Sequence, residues 1–151
     1  MTMNQKLKMS VDGEILCTSA RLRQASRAVT QFYDKVLQPS GLLSTQLPLL
    51  AMIRTAGTIT ISELAERAII DRTTLTRNLR LLEQNGLIKS ESGKDRRRRE
   101  MSISTKGIKA IETAYPLWEQ AQRQVIGGLG EKHWQELLQR LNDAIATVHE
   151  Q

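Results

Sequence analysis

This 151-residue sequence predicts a mainly α-helical fold with a small α+β segment inside it, and three observations carry that prediction. Apolar residues recur every three or four positions through most of the chain, which is the period of an amphipathic helix. Between residues 87 and 104 the pattern changes to the short alternation of paired strands. The third observation is where the charge sits. Lys and Arg number 22 against 16 Asp and Glu, a net +6. Residues 70–99 hold nine basic and four acidic side chains, an excess of five, so the rest of the chain is nearly neutral. A neutral body with one cationic segment is the footprint of a polyanion binder.

The same composition excludes several classes. A single cysteine, Cys17, cannot close an intramolecular disulfide, so a fold held by staples is excluded and a reducing cytoplasm is expected. The most apolar stretch, Leu47 to Ile53, is seven residues long, whereas a membrane span needs about 20. Lys6 and Lys8 are followed by no apolar run, so neither a secretory leader nor a membrane partner is expected. Five aromatic residues in all argue against single-strand binding on stacked rings.

The elements follow in chain order. Residues 1–12 are polar and without period. Ile15, Thr18, Leu22, Ala25, Val29, Phe32 and Val36 line one side of a long helix, which Pro39-Ser40-Gly41 ends. Leu49, Leu50, Met52 and Ile53 belong to a second helix. With Thr45 as N-cap, Pro48 takes its third position, where no intrahelical N–H bond is needed. Thr58-Ile59-Thr60 suits a short edge strand, and Thr60-Ile61-Ser62-Glu63 reads as a capping box opening a short helix to Ala68. After a turn through Ile69-Ile70, Asp71 caps a helix with Leu75, Leu79 and Leu82 inward, ending at Asn85-Gly86. Residues 87–91 and 100–104 form a hairpin with a polar, cationic tip. Ile111, Ala114, Trp118, Ala121 and Val125 make the next stripe, with Pro116 expected to kink the helix. Gly127-Gly128-Leu129-Gly130 is expected to break the chain before a last helix lined by Trp134, Leu138, Leu141, Ile145 and Val148.

Two capped helices across a tight turn, followed by a strand pair with a charged tip, make a winged helix-turn-helix, whose second helix enters the major groove of DNA. With the leucines inward, Arg72, Thr73, Thr74, Thr76, Arg77 and Arg80 are the candidate groove and backbone contacts. Arg grips guanine bidentately, and Thr offers a hydroxyl and a methyl. Lys94, Arg96, Arg97 and Arg98 at the wing tip are candidates for a neighbouring minor groove or phosphates. A helix face with two arginines is ordinarily just solvated, and an arginine run is ordinarily a general phosphate or membrane-surface patch. The order of helix, turn, helix and charged wing on a neutral body separates this chain from those cases.

In these residues the chain resembles the MarR family of bacterial transcriptional regulators. The signature reads Asp95, Arg97, Met101, Ile103, Ser104, Gly107, and the stretches Ile61–Glu66, Leu81–Ile88 and Leu22–Tyr33 are also typical. The resemblance implies one domain over residues 1–151. Residues 1–42 supply an N-terminal dimerisation helix, 43–104 the winged helix-turn-helix and 105–151 the C-terminal dimerisation helices. It implies a cytoplasmic homodimer on a palindromic double-stranded DNA operator, a ligand-responsive repressor or activator, and Asp95 orienting Arg97. Separately, three long apolar stripes flanking a small lobe call for a symmetry mate, which spaces two recognition helices about 34–36 Å apart. The alternative is that the three stripes pack as a bundle within one chain.

The resemblance also implies a small-molecule effector, held between the dimerising helices and the DNA-binding lobe, with aromatic acids or their thioesters as the recurring class. Arg27, like Arg21 and Arg23, is a candidate carboxylate partner or an ordinary surface cation. Cys17 and Tyr33 are candidates for redox sensing. A peroxide-sensing branch of the family uses a first-helix cysteine bonded to tyrosines. Cys17 falls about two positions from that place; Tyr33 matches one tyrosine and Thr45 replaces the other. A structural or incidental thiol is the other reading. His133 and His149 lie sixteen positions apart without clustered partners, so no metal is expected. No cofactor motif, phosphate loop or catalytic constellation is present, so no enzyme and no catalytic residue is expected. The competing functions are an architectural, nonspecific nucleic-acid protein and a winged helix used for protein contacts.

Overall fold

The computed structural model describes residues 17–93 and 98–149. The chain runs α1 (Thr18–Leu37), a 3-10 turn (Gln38–Ser40), α2 (Gln46–Ala56), β1 (Thr58–Thr60), α3 (Ile61–Ala68), α4 (Arg72–Gln84), β2 (Ile88–Ser92), β3 (Arg99–Ile103), α5 (Thr105–Leu129) and α6 (Glu131–His149). The three strands form an antiparallel sheet in the order β1-β3-β2. Met101 lies opposite both Ile59 and Ser90. Ile59, Ile88 and Met101 are buried beneath α2, α3 and α4, so the sheet closes one side of the core.

Local chemistry sets these boundaries. Pro39 sits in the 3-10 turn, and Gly41 at φ +74° lets its N–H return to the Gln38 carbonyl, a conformation that strains any residue with a Cβ. Pro48 is the third residue of α2, where its missing N–H costs nothing. Thr45 precedes that helix but makes no side-chain cap. Instead the Gln46 side chain accepts from the Leu43 N–H and Asp34 accepts from the Ser44 N–H. Leu50, Ile53, Leu64, Leu75 and Leu82 are fully buried, and they tie α2, α3 and α4 into one core.

Ser104 and Gly107 join the wing to α5. The Ser104 hydroxyl donates to the Gly86 carbonyl (2.6 Å) and accepts from the Gly107 N–H (3.0 Å), while the Ser104 N–H donates to the Leu87 carbonyl. A Cβ on Gly107 would lie 2.1 Å from that Leu87 carbonyl oxygen. Only glycine allows α5 to start this close to the strand. The serine and glycine of the signature are therefore packing residues.

One expectation changes. Gly127 and Gly128 do not break the chain; α5 continues to Leu129, and Gly130 alone, at φ +83°, ends it. A glycine costs a helix only about 1 kcal/mol, so α5 runs through Gly127 and Gly128 although both are exposed. Pro116 lies within α5, where it leaves the Glu112 carbonyl without its intrahelical donor. The outer apolar stripes also remain uncovered within one chain. Leu37 is the one buried residue of α1, and α6 has none. Leu22, Val29, Leu138 and Ile145 are 42–47% exposed and Val148 72%.

Candidate nucleic-acid interface

The recognition surface begins with two helix caps. Thr60 accepts from the Glu63 N–H, and the Glu63 carboxylate accepts from the Thr60 N–H (2.9 Å) and hydroxyl (2.8 Å). The backbone N–H and then the hydroxyl of Thr60 hold the Glu63 carboxyl below its usual pKa, with Arg67 and Arg98 adding to the effect. The reversal after α3 is made by Ile69 in the left-handed region (φ 52°), and Ile70 donates back to the Ala65 carbonyl. A β-branched residue rarely adopts that geometry. It persists here because the turn between α3 and α4 has to be tight.

Asp71 then caps α4, accepting from the Thr74 N–H at 2.8 Å. The Thr74 side chain and its N–H lower the Asp71 pKa. The Thr74 N–H is thus engaged in the cap, and the residue itself is exposed at the start of the helix. On α4, Leu75, Leu79 and Leu82 are buried and Arg72, Thr73, Thr76, Arg77 and Arg80 are exposed. These five outward residues line a shallow depression of about 380 Å³. The Thr76 hydroxyl donates to the Arg72 carbonyl (2.6 Å). What it offers outward is a methyl group and a lone pair, a combination suited to thymine's methyl or to a donor at the base edge.

The wing is anchored beside this helix. Gly93 donates to the Arg98 carbonyl (2.8 Å) at the base of the tip. Arg98 is exposed, close enough to Glu63 to act on its charge. Arg99, on β3, lies 3.6 Å from Glu83 of α4, an exposed ion pair of small energetic weight. Lys94, Asp95, Arg96 and Arg97 lie outside the described residues.

Behind this surface is a cavity of about 570 Å³. Val29, Thr30 and Tyr33 of α1 form one wall, Ser44, Thr45, Leu47, Pro48 and Ala51 a second, and Ile111, Tyr115 and Trp118 of α5 the third. The Tyr33 hydroxyl donates to the Gln122 side chain and so links α1 to α5. Burial raises the Tyr33 pKa above its ordinary value. The Tyr115 and Trp118 rings lie 5.6 Å apart at 32°.

Of the sensing candidates, Tyr33 lines this cavity and neither Arg27 nor Cys17 does. Cys17 is exposed just before α1. Tyr33 lies sixteen positions further on, about 24 Å of helical rise, so one chain by itself does not bring the two together. Sequence reasoning missed Tyr115, Ala51 and Gln122 and took Trp118 for core. The signal available was two aromatic residues three apart on α5. Among the described residues no group of His, Cys, Asp or Glu is placed to hold a metal, and no helix is long and apolar enough to cross a membrane.

Comparison with known proteins agrees with this geometry. Residues 42–99 match the sequence model of the MarR family. The crystal structure of the M. tuberculosis transcriptional regulator MosR in complex with DNA is 35% identical, with 89% of this chain and 97% of that chain covered and a TM-score of 0.81. An uncharacterised HTH-type transcriptional regulator of Bacillus subtilis (strain 168), YwoH, is 28% identical over 92 residues, 61% of this chain and 67% of the other. A mutant MarR from E. coli, crystallised with operator DNA, shares the fold at 21% identity, with 84% of this chain and 92% of that chain covered and a TM-score of 0.76.

Proposed function

This chain belongs to the MarR family, and from that premise we propose that it is a DNA-binding transcriptional regulator that represses from a palindromic operator as a cytoplasmic homodimer. The observation that carries the reading is the outward face of α4. It presents Arg72, Thr73, Thr76, Arg77 and Arg80 together, flanked by the wing that carries Arg98. The MosR structure in complex with DNA supports the same partner for this chain. In this reading Arg77 and Arg80 meet base edges and Thr73 and Thr76 the groove floor. Arg72 and Thr74 meet phosphates at the start of the helix. Lys94, Arg96, Arg97 and Arg98 hold the flanking groove, with Asp95 orienting Arg97.

Residues 43–104 are the DNA lobe, and 1–42 and 105–151 join two chains. The uncovered stripes of α1 and α6 support the dimer, because burying each such leucine is worth about 1.5–3 kcal/mol. A small-molecule effector in the cavity between α1, α2 and α5 would act by favouring one spacing of the two recognition helices.

Footprinting on DNA upstream of the protein's own gene tests the proposal. The expected result is protection of an inverted repeat with half-sites about one helical turn apart. Protection spread evenly along the fragment would point to the architectural reading.

A further inference from the structure

We propose that Glu83 is a brake on backbone binding: it holds Arg99 away from the DNA phosphates that cross the cleft between α4 and the wing. The inference rests on the reading of the chain as a DNA-binding regulator and adds what limits its grip on phosphate. The cleft is a hollow of about 80 Å³ whose lining includes Thr76, Arg80 and Glu83 of α4 and Ser90 and Arg99 of the wing. Thr76 and Arg80 also line the depression on the outward face of α4, so the cleft opens from the recognition surface.

With α4 in a major groove and the wing in the neighbouring minor groove, the strand of phosphates dividing the two grooves runs over this cleft. A side chain there meets backbone, which carries no sequence information. Arg80 and Arg99 suit that place. Glu83 does not, because a carboxylate repels phosphate. Nor does Glu83 serve its own helix. Glu63 and Asp71 cap helix starts, whereas Glu83 sits in the last turn of α4, a turn without a basic residue, at the negative end of the helix dipole.

What Glu83 does hold is Arg99. The guanidinium lies 3.6 Å from the carboxylate, and the two side chains are 63% and 42% exposed. So exposed a pair adds little to stability, yet it cancels the charge that Arg99 would show to a phosphate. Arg99 begins β3 opposite Ser92 of β2, so its backbone stays in the sheet when the side chain is let go. Without Glu83 the cleft gains one free cation on the path of the phosphate strand. Each phosphate so neutralised steepens the fall of log affinity with log salt by about 0.9.

Fluorescence anisotropy of the full chain on the footprinted operator and on a scrambled duplex, from about 50 to 200 mM salt, tests this. Glu83→Gln should bind both duplexes more tightly, by about fivefold or more at the low-salt end, with a slope steeper by about one. The gain should be alike on the two duplexes. Adding Arg99→Gln to Glu83→Gln should remove both the gain and the extra slope. Thermal melting of the same samples should show every variant folded, since both side chains are exposed. The proposal is overturned if Glu83→Gln leaves the slope unchanged. It is overturned too if Glu83→Gln weakens binding, which would make the pair a clamp on the wing, or if the gain survives Arg99→Gln. Each of these results leaves the DNA-binding reading standing; a wild-type chain that binds neither duplex overturns both.

Discussion

The DNA-facing lobe and the helices that flank it solve the problem of burial in opposite ways. From α2 to β3 nearly every inward apolar side chain is covered, and both helix starts are capped by their own side chains. In α1 and α6 the apolar stripes are as regular, yet Leu22, Leu138, Ile145 and Val148 stay open to solvent. The lobe covers its apolar side chains within one chain; the flanks leave theirs open. The difference separates what the fold needs from what an assembly needs, and substitutions in the two regions should fail differently.

The largest effect is expected at the joint between wing and α5. Gly107→Val forces a side chain against the Leu87 carbonyl and should unfold the lobe or cost more than about 3 kcal/mol by chemical denaturation. Leu75→Ala, fully buried on α4, should lose about 2–5 kcal/mol. Leu138→Glu on α6 should instead leave the lobe's own stability intact. It should weaken self-association by about tenfold or more in sedimentation equilibrium. An equal loss of stability from Leu75→Ala and Leu138→Glu at low protein concentration would erase the distinction.

Smaller effects sharpen it from the DNA side. Arg77→Ala should cost about 1–3 kcal/mol of operator affinity and relax sequence preference, with melting unchanged within about 0.5 kcal/mol because the side chain is exposed. The smallest effect concerns the caps. Glu63 and Asp71 are held below their ordinary values of 4.5 and 3.8, so the stabilisation they add is whole above those values. It is lost as pH falls through the lower folded values. Asp71→Asn keeps a competent cap at neutral pH and should flatten the acid limb of the melting profile. A steeper limb in the variant would contradict the role given to Asp71.

These expectations were legible in the sequence to unequal degrees. The capping box at Thr60 and Glu63, the Asp71 cap and the Leu75, Leu79, Leu82 stripe follow from side-chain type and local spacing, and the structure repeats them. Local rules failed where tertiary packing decided. Gly127 and Gly128 read as a break, but two glycines cost a helix too little to end it and α5 runs on to Leu129. The cavity was invisible because packing makes it. Val29 and Trp118 are ordinary stripe residues, and only the folding of three helices together leaves space between them. Cys17, Arg27 and Tyr33 share one helix in sequence, but its length keeps Cys17 far from Tyr33.

The central claim is that the α4 face reads sequence and the flanking helices pair two such faces. Fluorescence anisotropy against the footprinted operator and a scrambled duplex, at several salt concentrations, tests it directly. Two chains per operator are expected, with a preference over the scrambled duplex of about 10³-fold or more at physiological salt, which falls sharply for Arg77→Ala. Equal affinity for both duplexes, with a steep salt dependence alone, would contradict it.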